Sequence, residues 1–226
     1  MHQTFNYKEF LITLDNYNIN TQNLFLPNKS QKSNLIQIRG DNIYLIKTGI
    51  VAVFLDDKAE KLYSIFGEGL FLGYYTIFDL PSAPVFFKAL GDCELLIFSK
   101  KDMELSLSLL PEGINFQFDI MKDMAKHLYV KSLLQYKDSK NKLILAFEFF
   151  AENHGKTIRD NKMILPKIIR TKIVKDFCGL SSCPFYKNLS ELYQLGLVEK
   201  KEHQWIVDLL KIKEYKSQLN SEVDIN

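Results

Sequence analysis

The sequence predicts an α+β protein with an N-terminal β-roll (double-stranded β-helix or jelly-roll-like), a long helix and a C-terminal winged helix-turn-helix. Three observations lead to this prediction. Short strand-like segments separated by turn residues fill about residues 24–98. A long apolar periodicity follows Pro111. Residues 171–207 then have the pattern of two short helices and a charged hairpin, with glycines between these elements.

The composition is that of a folded protein. Of 226 residues, 46% are hydrophobic and 25% are charged, which excludes a mostly disordered chain. Three cysteines make no even disulfide framework, and they show no zinc-type spacing. The N-terminus MHQTFNYKEF lacks the pattern of a signal peptide, and no run approaches the ~18–20 apolar residues of a membrane span. We therefore expect a cytoplasmic protein with no membrane partner.

Residues 1–110 are predicted to form the roll. A short amphipathic helix comes first, with Phe10, Leu11 and Leu14 on its apolar side. Turn signals such as Thr48-Gly49 separate the strands that follow, and this spacing is typical of a small barrel or double-sheet roll. The strand-like segments, rich in β-branched or aromatic residues, begin at Leu35, Ile43, Ile50, Lys61, Val85 and Cys93.

Residues 111–138 are predicted to form the long helix, after a helix start at Ser99-Lys-Lys-Asp. Its apolar residues recur at spacings of four and three, as in a coiled-coil seam. The pattern fits two structures equally: a broad core helix buried within its own domain, or a dimerisation helix whose narrow seam meets its twin and whose other apolar side covers the roll. The seam consists of Ile114, Phe118, Met121, Ala125 and Leu128, and it is widened by Phe116, Ile120, Met124 and Tyr129.

Residues 139–226 are predicted to form the C-terminal domain. A helix over Lys142–Asn153 and a small hairpin around Asp160-Asn161 lead into two further helices joined by a tight turn at Gly179. Ile173, Val174 and Phe177 form the apolar face of the first of these helices, and Phe185, Leu189 and Leu192 that of the second. Ser181 or Ser182 can cap the second helix, Pro184 fits its first turn, and Gly196 ends it.

The polar side of that second helix is the candidate reading surface. A winged helix-turn-helix presents such a helix to the major groove of DNA, whereas the alternative is a small helical hairpin whose polar face is simply solvated. Residues 156–203 carry ten basic against five acidic side chains, a charge that suits phosphate neutralisation. The candidate DNA contacts are Ser181, Ser182, Cys183, Tyr186, Lys187 and Ser190 on the helix and Lys200, Lys201 and His203 in the wing.

Both the order of parts and several local motifs resemble the Crp/Fnr family of bacterial transcription regulators. The segment from Ile43 to Val53 resembles the family's strand, glycine turn and strand, and Gly69-Leu-Phe-Leu-Gly-Tyr resembles its glycine-bounded segment. Residues 89–102 resemble its last roll strands and following helix, and Gly179-Leu-Ser its recognition motif. The resemblance implies a cyclic-nucleotide-binding-like sensor roll and a homodimer acting on near-palindromic DNA, with RNA polymerase as a further partner.

The chain departs from the family's effector sites. Members that bind cyclic nucleotides carry a glutamate for the ribose and an arginine for the phosphate, and Tyr74 and Pro81 stand at those places here. A buried phosphate needs a charge-assisted partner, which proline cannot supply, so we expect no response to cyclic AMP. The N-terminal cysteine cluster of the oxygen-sensing members is also missing, which predicts no iron–sulfur cluster. The chain resembles more closely the members without these sites, such as the Listeria virulence regulators, so we expect its effector to be a different small molecule or none.

The recognition helix also departs from the family pattern. Ser182 and Cys183 replace the usual arginine and glutamate, and Lys187 replaces a later arginine, so the usual family half-site is not expected. Cys183 has two interpretations: a reactive thiol near a helix N-terminus that makes binding redox-sensitive, or a small neutral filler.

Two rival functions follow from this chain. One is a degenerate relative that acts through protein partners with little sequence-specific DNA binding. The other is an enzyme, which the sequence does not favour because its four histidines are scattered and no catalytic triad, phosphate loop or metal cluster is present.

Overall fold

The computed structural model describes residues 7–27, 35–38, 40–75, 84–159 and 161–223. The chain forms two compact units, Met1–Tyr129 and Val130–Asn226. The predicted α+β class is confirmed, with a β-rich N-terminal unit and a mixed C-terminal one. Among the described helices none has both the length and the apolar character needed to span a membrane.

The N-terminal unit is a roll of two antiparallel sheets. Their strand orders, within the described residues, are β1-β8-β3-β6 and β2-β7-β4-β5. Strands β3 and β8 each bury four of their seven residues, and β4 is buried at every position. The strands are β1 (Gln22–Leu26), β2 (Ile36–Gln37), β3 (Asn42–Thr48), β4 (Val51–Phe54), β5 (Leu62–Phe66), β6 (Phe71–Leu72), β7 (Phe86–Ala89) and β8 (Cys93–Ser99).

Three helices belong to this roll: α1 (Tyr7–Asn16), α2 (Lys100–Leu109) and the first part of α3 (Gly113–Tyr136). The predicted helix start at Ser99 is confirmed, because Ser99 and Asp102 form a capping box that satisfies two backbone N–H groups. An aromatic cluster joins α1 and α3 to the sheet. The ring of Phe10 stacks on that of Phe116 at 5.1 Å, and both contact Phe71, at 5.7 and 6.1 Å.

Helix α3 has apolar side chains on two sides. Phe116 and Ile120 are buried in the roll core. His127 is buried too: its Nδ1 lies 2.6 Å from Ser64 Oγ, and its ring stacks on Phe66 at 4.2 Å. The predicted seam lies on the other side, where Ile114 is 85% and Phe118 68% exposed. One apolar side of α3 thus covers the roll while the seam is exposed, which fits the predicted dimerisation helix better than the predicted broad core helix.

The C-terminal unit builds a four-stranded sheet of order β11-β12-β10-β9 beside packed helices. Trp205 of β12 packs against Phe147 of α4 at 5.1 Å, and Phe177 of α5 lies 5.4 and 4.7 Å from Phe149 and Phe150. Helix α7 was not predicted; it buries Ile212, and Lys216 pairs with Glu148 of α4. The elements are α4 (Ser139–His154), β9 (Lys156–Arg159), β10 (Lys162–Ile164), α5 (Thr171–Cys178), α6 (Ser182–Gln194), β11 (Val198–Lys201), β12 (Gln204–Asp208) and α7 (Leu209–Val223).

Replacing Phe116 with alanine tests the docking of α3 on the roll. The substitution removes a buried ring that contacts Phe10 and Phe71, so we expect a loss of about 3–5 kcal/mol in the free energy of unfolding. Urea denaturation followed by far-ultraviolet circular dichroism measures it. Leu105→Ala is the control, because Leu105 of α2 is 48% exposed. An equal effect of the two substitutions would contradict the packing described.

Candidate nucleic-acid interface

The turn between α5 and α6 depends on Gly179. Its φ of 64° and ψ of 32° lie in the left-handed region, and the N–H groups of Gly179 and Leu180 donate to the carbonyls of Asp176 and Lys175. A Cβ at this position would meet nothing within 4 Å. The backbone conformation, rather than space, therefore favours glycine here and sets the angle between the two helices.

Helix α5 is held by its buried face and by one cation. Val174 and Phe177 are buried, and Phe177 packs among the rings of α4. Lys131 Nζ donates to the Phe177 carbonyl at 3.0 Å and lies 5.1 Å from the centre of that ring. Burial lowers the pKa of Lys131. The contact places a positive charge at the C-terminal end of α5, where the helix dipole favours it.

Helix α6 separates a buried face from an exposed one, as the sequence predicted. Phe185, Leu189 and Leu192 are buried, and Ser181 is the N-cap residue. Within the described chain the Ser181 side chain makes no capping hydrogen bond. The first turn of α6 therefore keeps N–H groups that an anion can approach. The outward side chains are all exposed: Ser182, Cys183, Tyr186, Lys187 and Ser190.

Lys175 is a functional candidate that the sequence analysis missed. Its Nζ lies 3.4 Å from Ser182 Oγ, so a cation from the last turn of α5 stands at the start of α6. Its position four residues before the turn glycine was the available signal, because two helices joined by a tight turn bring those residues together. Lys187 lies on the outward face of α6 itself, and Lys175 lies at its start.

The wing is the hairpin of β11 and β12. Glu202 and His203 have φ values of 49° and 65°, which is the type I′ turn that matches strand twist. His203 and Lys201 are therefore exposed at the tip.

The wing lysines differ in how much of their charge remains available. Lys200 Nζ donates to Thr171 Oγ1 at 2.9 Å and lies 4.3 Å from the Trp205 ring, so Lys200 ties the wing to α5. Lys201 pairs with Glu199 at 3.0 Å. Hydrogen bonds from Lys201 and Lys162 lower the pKa of Glu199, which keeps this carboxylate charged beside the wing.

The three cysteines differ in their exposure to solvent. Burial raises the pKa of Cys93, and it raises that of Cys178 to about 12, so both stay protonated thiols. Cys183 is exposed on α6. No group of three or more metal-ligating side chains occurs within the described ranges.

In the roll, the predicted effector positions are only partly described. Gly73 has a φ of 78°, and a Cβ there would lie 2.6 Å from the Asn42 carbonyl oxygen, so this turn requires glycine. Tyr74 follows it and is buried, and burial raises its pKa to about 12. Pro81 lies outside the described residues.

The comparisons with known proteins agree with this architecture. Residues 37–107 match the cyclic nucleotide-binding domain family. A cyclic nucleotide-binding domain containing protein from Listeria monocytogenes superposes with a TM-score of 0.68 at 18% identity, covering 89% of this chain and 94% of that one. No curated protein sequence matches the chain.

Two further solved structures have the same arrangement. The c-di-GMP-responsive global regulator CLP of Xanthomonas campestris gives a TM-score of 0.64 at 16% identity, over 87% of this chain and 98% of that one. A transcriptional regulator of the CRP/FNR family from Thermus thermophilus gives 0.61 at 16% identity, over 85% and 97%. At these identities the similarity establishes the fold.

Replacing Gly179 with alanine tests the turn. A Cβ in the left-handed region should cost about 1–2 kcal/mol of unfolding free energy. Fluorescence of Trp205, the single tryptophan and a buried residue of the C-terminal unit, reports the unfolding in urea. Gly179→Asn is the control, since asparagine tolerates this conformation, and it should cost less than alanine. If alanine costs no more than asparagine, the turn does not depend on the backbone conformation.

Proposed function

We propose that this chain is a sequence-specific, DNA-binding transcription regulator of the Crp/Fnr type. One observation carries the proposal: α6 buries Phe185, Leu189 and Leu192 and turns a row of polar side chains outward, in the position of a recognition helix. The turn at Gly179 and the I′ wing complete the motif. The matching folds, which include a transcriptional regulator from Thermus thermophilus, are consistent with this function.

The outward side chains divide into base-reading and backbone-binding groups. Lys187, in the middle of the exposed face, can donate to a guanine or to a phosphate, and Tyr186 can contact a phosphate or a thymine methyl. Ser182 and Cys183 discriminate bases weakly, so the operator differs from the usual family half-site. Ser181, Ser190, Lys201, His203 and Lys175 contact the backbone, which positions the helix without specifying sequence. Lys200 contributes mainly by fixing the wing on α5.

The active species is a homodimer formed by α3. The seam of Ile114, Phe118, Met121, Ala125 and Leu128 is exposed along its whole length, while the opposite face of the helix is buried in its own roll. The large apolar side chains of the seam recur at four-three spacing and are 43–85% exposed. Their contact with water is unfavourable unless a second seam covers them. A twin seam is the natural match, and two-fold symmetry then presents two α6 helices to a near-palindromic site.

The roll does not respond to cyclic AMP, as in the family members that lack the cyclic-nucleotide residues. Tyr74 takes the place of the ribose-binding glutamate, and its hydroxyl remains protonated because burial raises its pKa to about 12. Neither a cyclic nucleotide nor an iron–sulfur cluster is the effector. The regulator acts with RNA polymerase, catalyses no reaction, and any effector is a different small molecule.

Selection of bound fragments from a random duplex library, at about physiological salt and without added ligand, tests the DNA-binding proposal. A palindromic motif should be recovered. Lys187→Ala should weaken binding to that motif by about 1–3 kcal/mol, because it removes a base or phosphate contact at the centre of the reading face.

The control is Lys213→Ala, which removes an equal charge from the exposed side of α7 in the same unit. Lys213→Ala should leave binding unchanged. Equal losses from the two substitutions would mean general charge attraction rather than reading by α6. Recovery of no motif, with or without cell extract, would favour the degenerate relative that acts through protein partners.

Phe118→Glu tests the homodimer. In a parallel pair of α3 helices a carboxylate at this seam position would lie beside its own copy. Like charges in an interface cost several kcal/mol, so the dissociation constant of the dimer should rise at least about a hundredfold. Sedimentation equilibrium at several concentrations measures this. Leu105→Glu, on the exposed side of α2, is the control and should not change the equilibrium. A wild-type monomer, or an unaffected Phe118→Glu dimer, would contradict the assignment of the seam.

A further inference from the structure

The N-terminal unit contains a cavity of about 410 Å³ that opens to solvent beside the exposed side chains of Leu55, Met121 and Leu128. Strands β4, β5 and β6 line one side of it through Val53, Tyr63 and Leu72, and α3 lines the other through Met121 and Met124. Small-molecule sites in proteins typically have volumes of about 300–1,000 Å³ and mostly apolar walls. The volume is thus sufficient for an organic ligand rather than for scattered water alone.

The chemistry of the walls is nearly uniform. The described lining contains aliphatic, methionine and aromatic side chains, and it includes no lysine, arginine, histidine or carboxylate. A phosphate or other anion enclosed here would lose its hydration without gaining a charged partner, which costs several kcal/mol. Aromatic rings and methionine sulfurs, in contrast, pack favourably against a flat ring. The rings that line the cavity are those of Tyr63, Phe66, Phe71, Tyr74 and Tyr75.

Tyrosine hydroxyl groups give the cavity limited polarity. Tyr63 and Tyr75 both line it, and burial raises the pKa of each. Both phenols therefore remain protonated at neutral pH, so that either can donate a hydrogen bond to an uncharged acceptor such as a carbonyl or ether oxygen.

We propose that this cavity is a binding site for an uncharged, ring-bearing apolar molecule, which packs against the aromatic and methionine side chains and is oriented by the tyrosine hydroxyls. The site thus differs in ligand class from the cyclic nucleotide that the matched domain family is named for.

The cavity also shares side chains with the seam of α3. Met121, Ala125 and Leu128 line the cavity and belong to the seam. A ligand would therefore contact the helix that, on the proposed function, joins two copies of the chain. Binding of the ligand and association of the copies are then linked, and each changes the affinity of the other by the same factor.

A matched pair of fluorescent dyes tests the ligand class. N-phenyl-1-naphthylamine is uncharged, and 8-anilinonaphthalene-1-sulfonate has the same ring skeleton with an added sulfonate. Titration of the full-length protein, without DNA, should show saturable binding of the uncharged dye at one site per chain. The sulfonate should bind at least about tenfold more weakly because its charge has no partner in the cavity. A large excess of cyclic AMP should displace neither dye.

Two cavity-filling variants locate the site. Val85→Trp fills the cavity from the strand side and Met124→Trp from the helix side, so a folding defect in one leaves the other informative. Each should weaken binding of the uncharged dye at least about tenfold. Leu105→Trp, on the exposed side of α2, should not. Equal affinity for the two dyes, or full binding by both cavity variants, would overturn the proposal.

The dye titration and the DNA selection test the two proposals independently. Dye binding without a selected DNA motif would contradict only the proposed regulator function. A selected motif without saturable dye binding would contradict only the cavity proposal.

Discussion

Helix α3 has apolar side chains on two sides, and its own roll covers only one of them. Phe116 and Ile120 are buried beside Phe10 and Phe71, and His127 is fixed between Ser64 and Phe66. That packing sets the rotation of the helix about its axis. Because the rotation is fixed, the seam from Ile114 to Leu128 stays exposed, and Met121, Ala125 and Leu128 of that seam also border the cavity. The proposed dimer and the helix wall of the cavity both follow from this constraint.

In the C-terminal unit, packing likewise fixes the orientation of a shorter helix, α6. Phe177 is packed among the rings of α4, and the left-handed turn at Gly179 then fixes where α6 begins. Because the apolar side of α6 is buried, its polar side faces outward. The positive charge on this surface is modest: Lys200 is held against Thr171 and Trp205, and Lys201 is paired with Glu199. On the proposed function, affinity for DNA should therefore depend on few cations, among them the exposed Lys187 of α6.

Sequence patterns predicted the elements whose signals are local. The capping box at Ser99, the glycine at 179 and the apolar spacing of α6 each depend on residues within one or two turns, and all three are confirmed. Strand β6 was missed because two residues carry no periodicity and its partner is β3, far along the chain. Helix α7 was missed because charged residues surround Ile212. The proximity of Lys175 to Ser182 could not be predicted without the geometry of the turn. The apolar spacing of α3 could not decide between a core helix and a dimerisation helix, because the helix has both a buried and an exposed apolar side.

The most direct test of the account joins two copies of α3 chemically. Phe118→Cys would be made in a Cys183→Ser background, which removes the exposed native thiol, since Cys93 and Cys178 are buried. Under mild oxidation at low protein concentration, we expect rapid conversion to one disulfide-linked dimer, because each seam residue lies beside its own copy in a parallel pair of α3 helices. Leu105→Cys in the same background measures random collision. Cross-linking through position 118 no faster than through position 105 would contradict the account, because the outward seam would then meet no second copy.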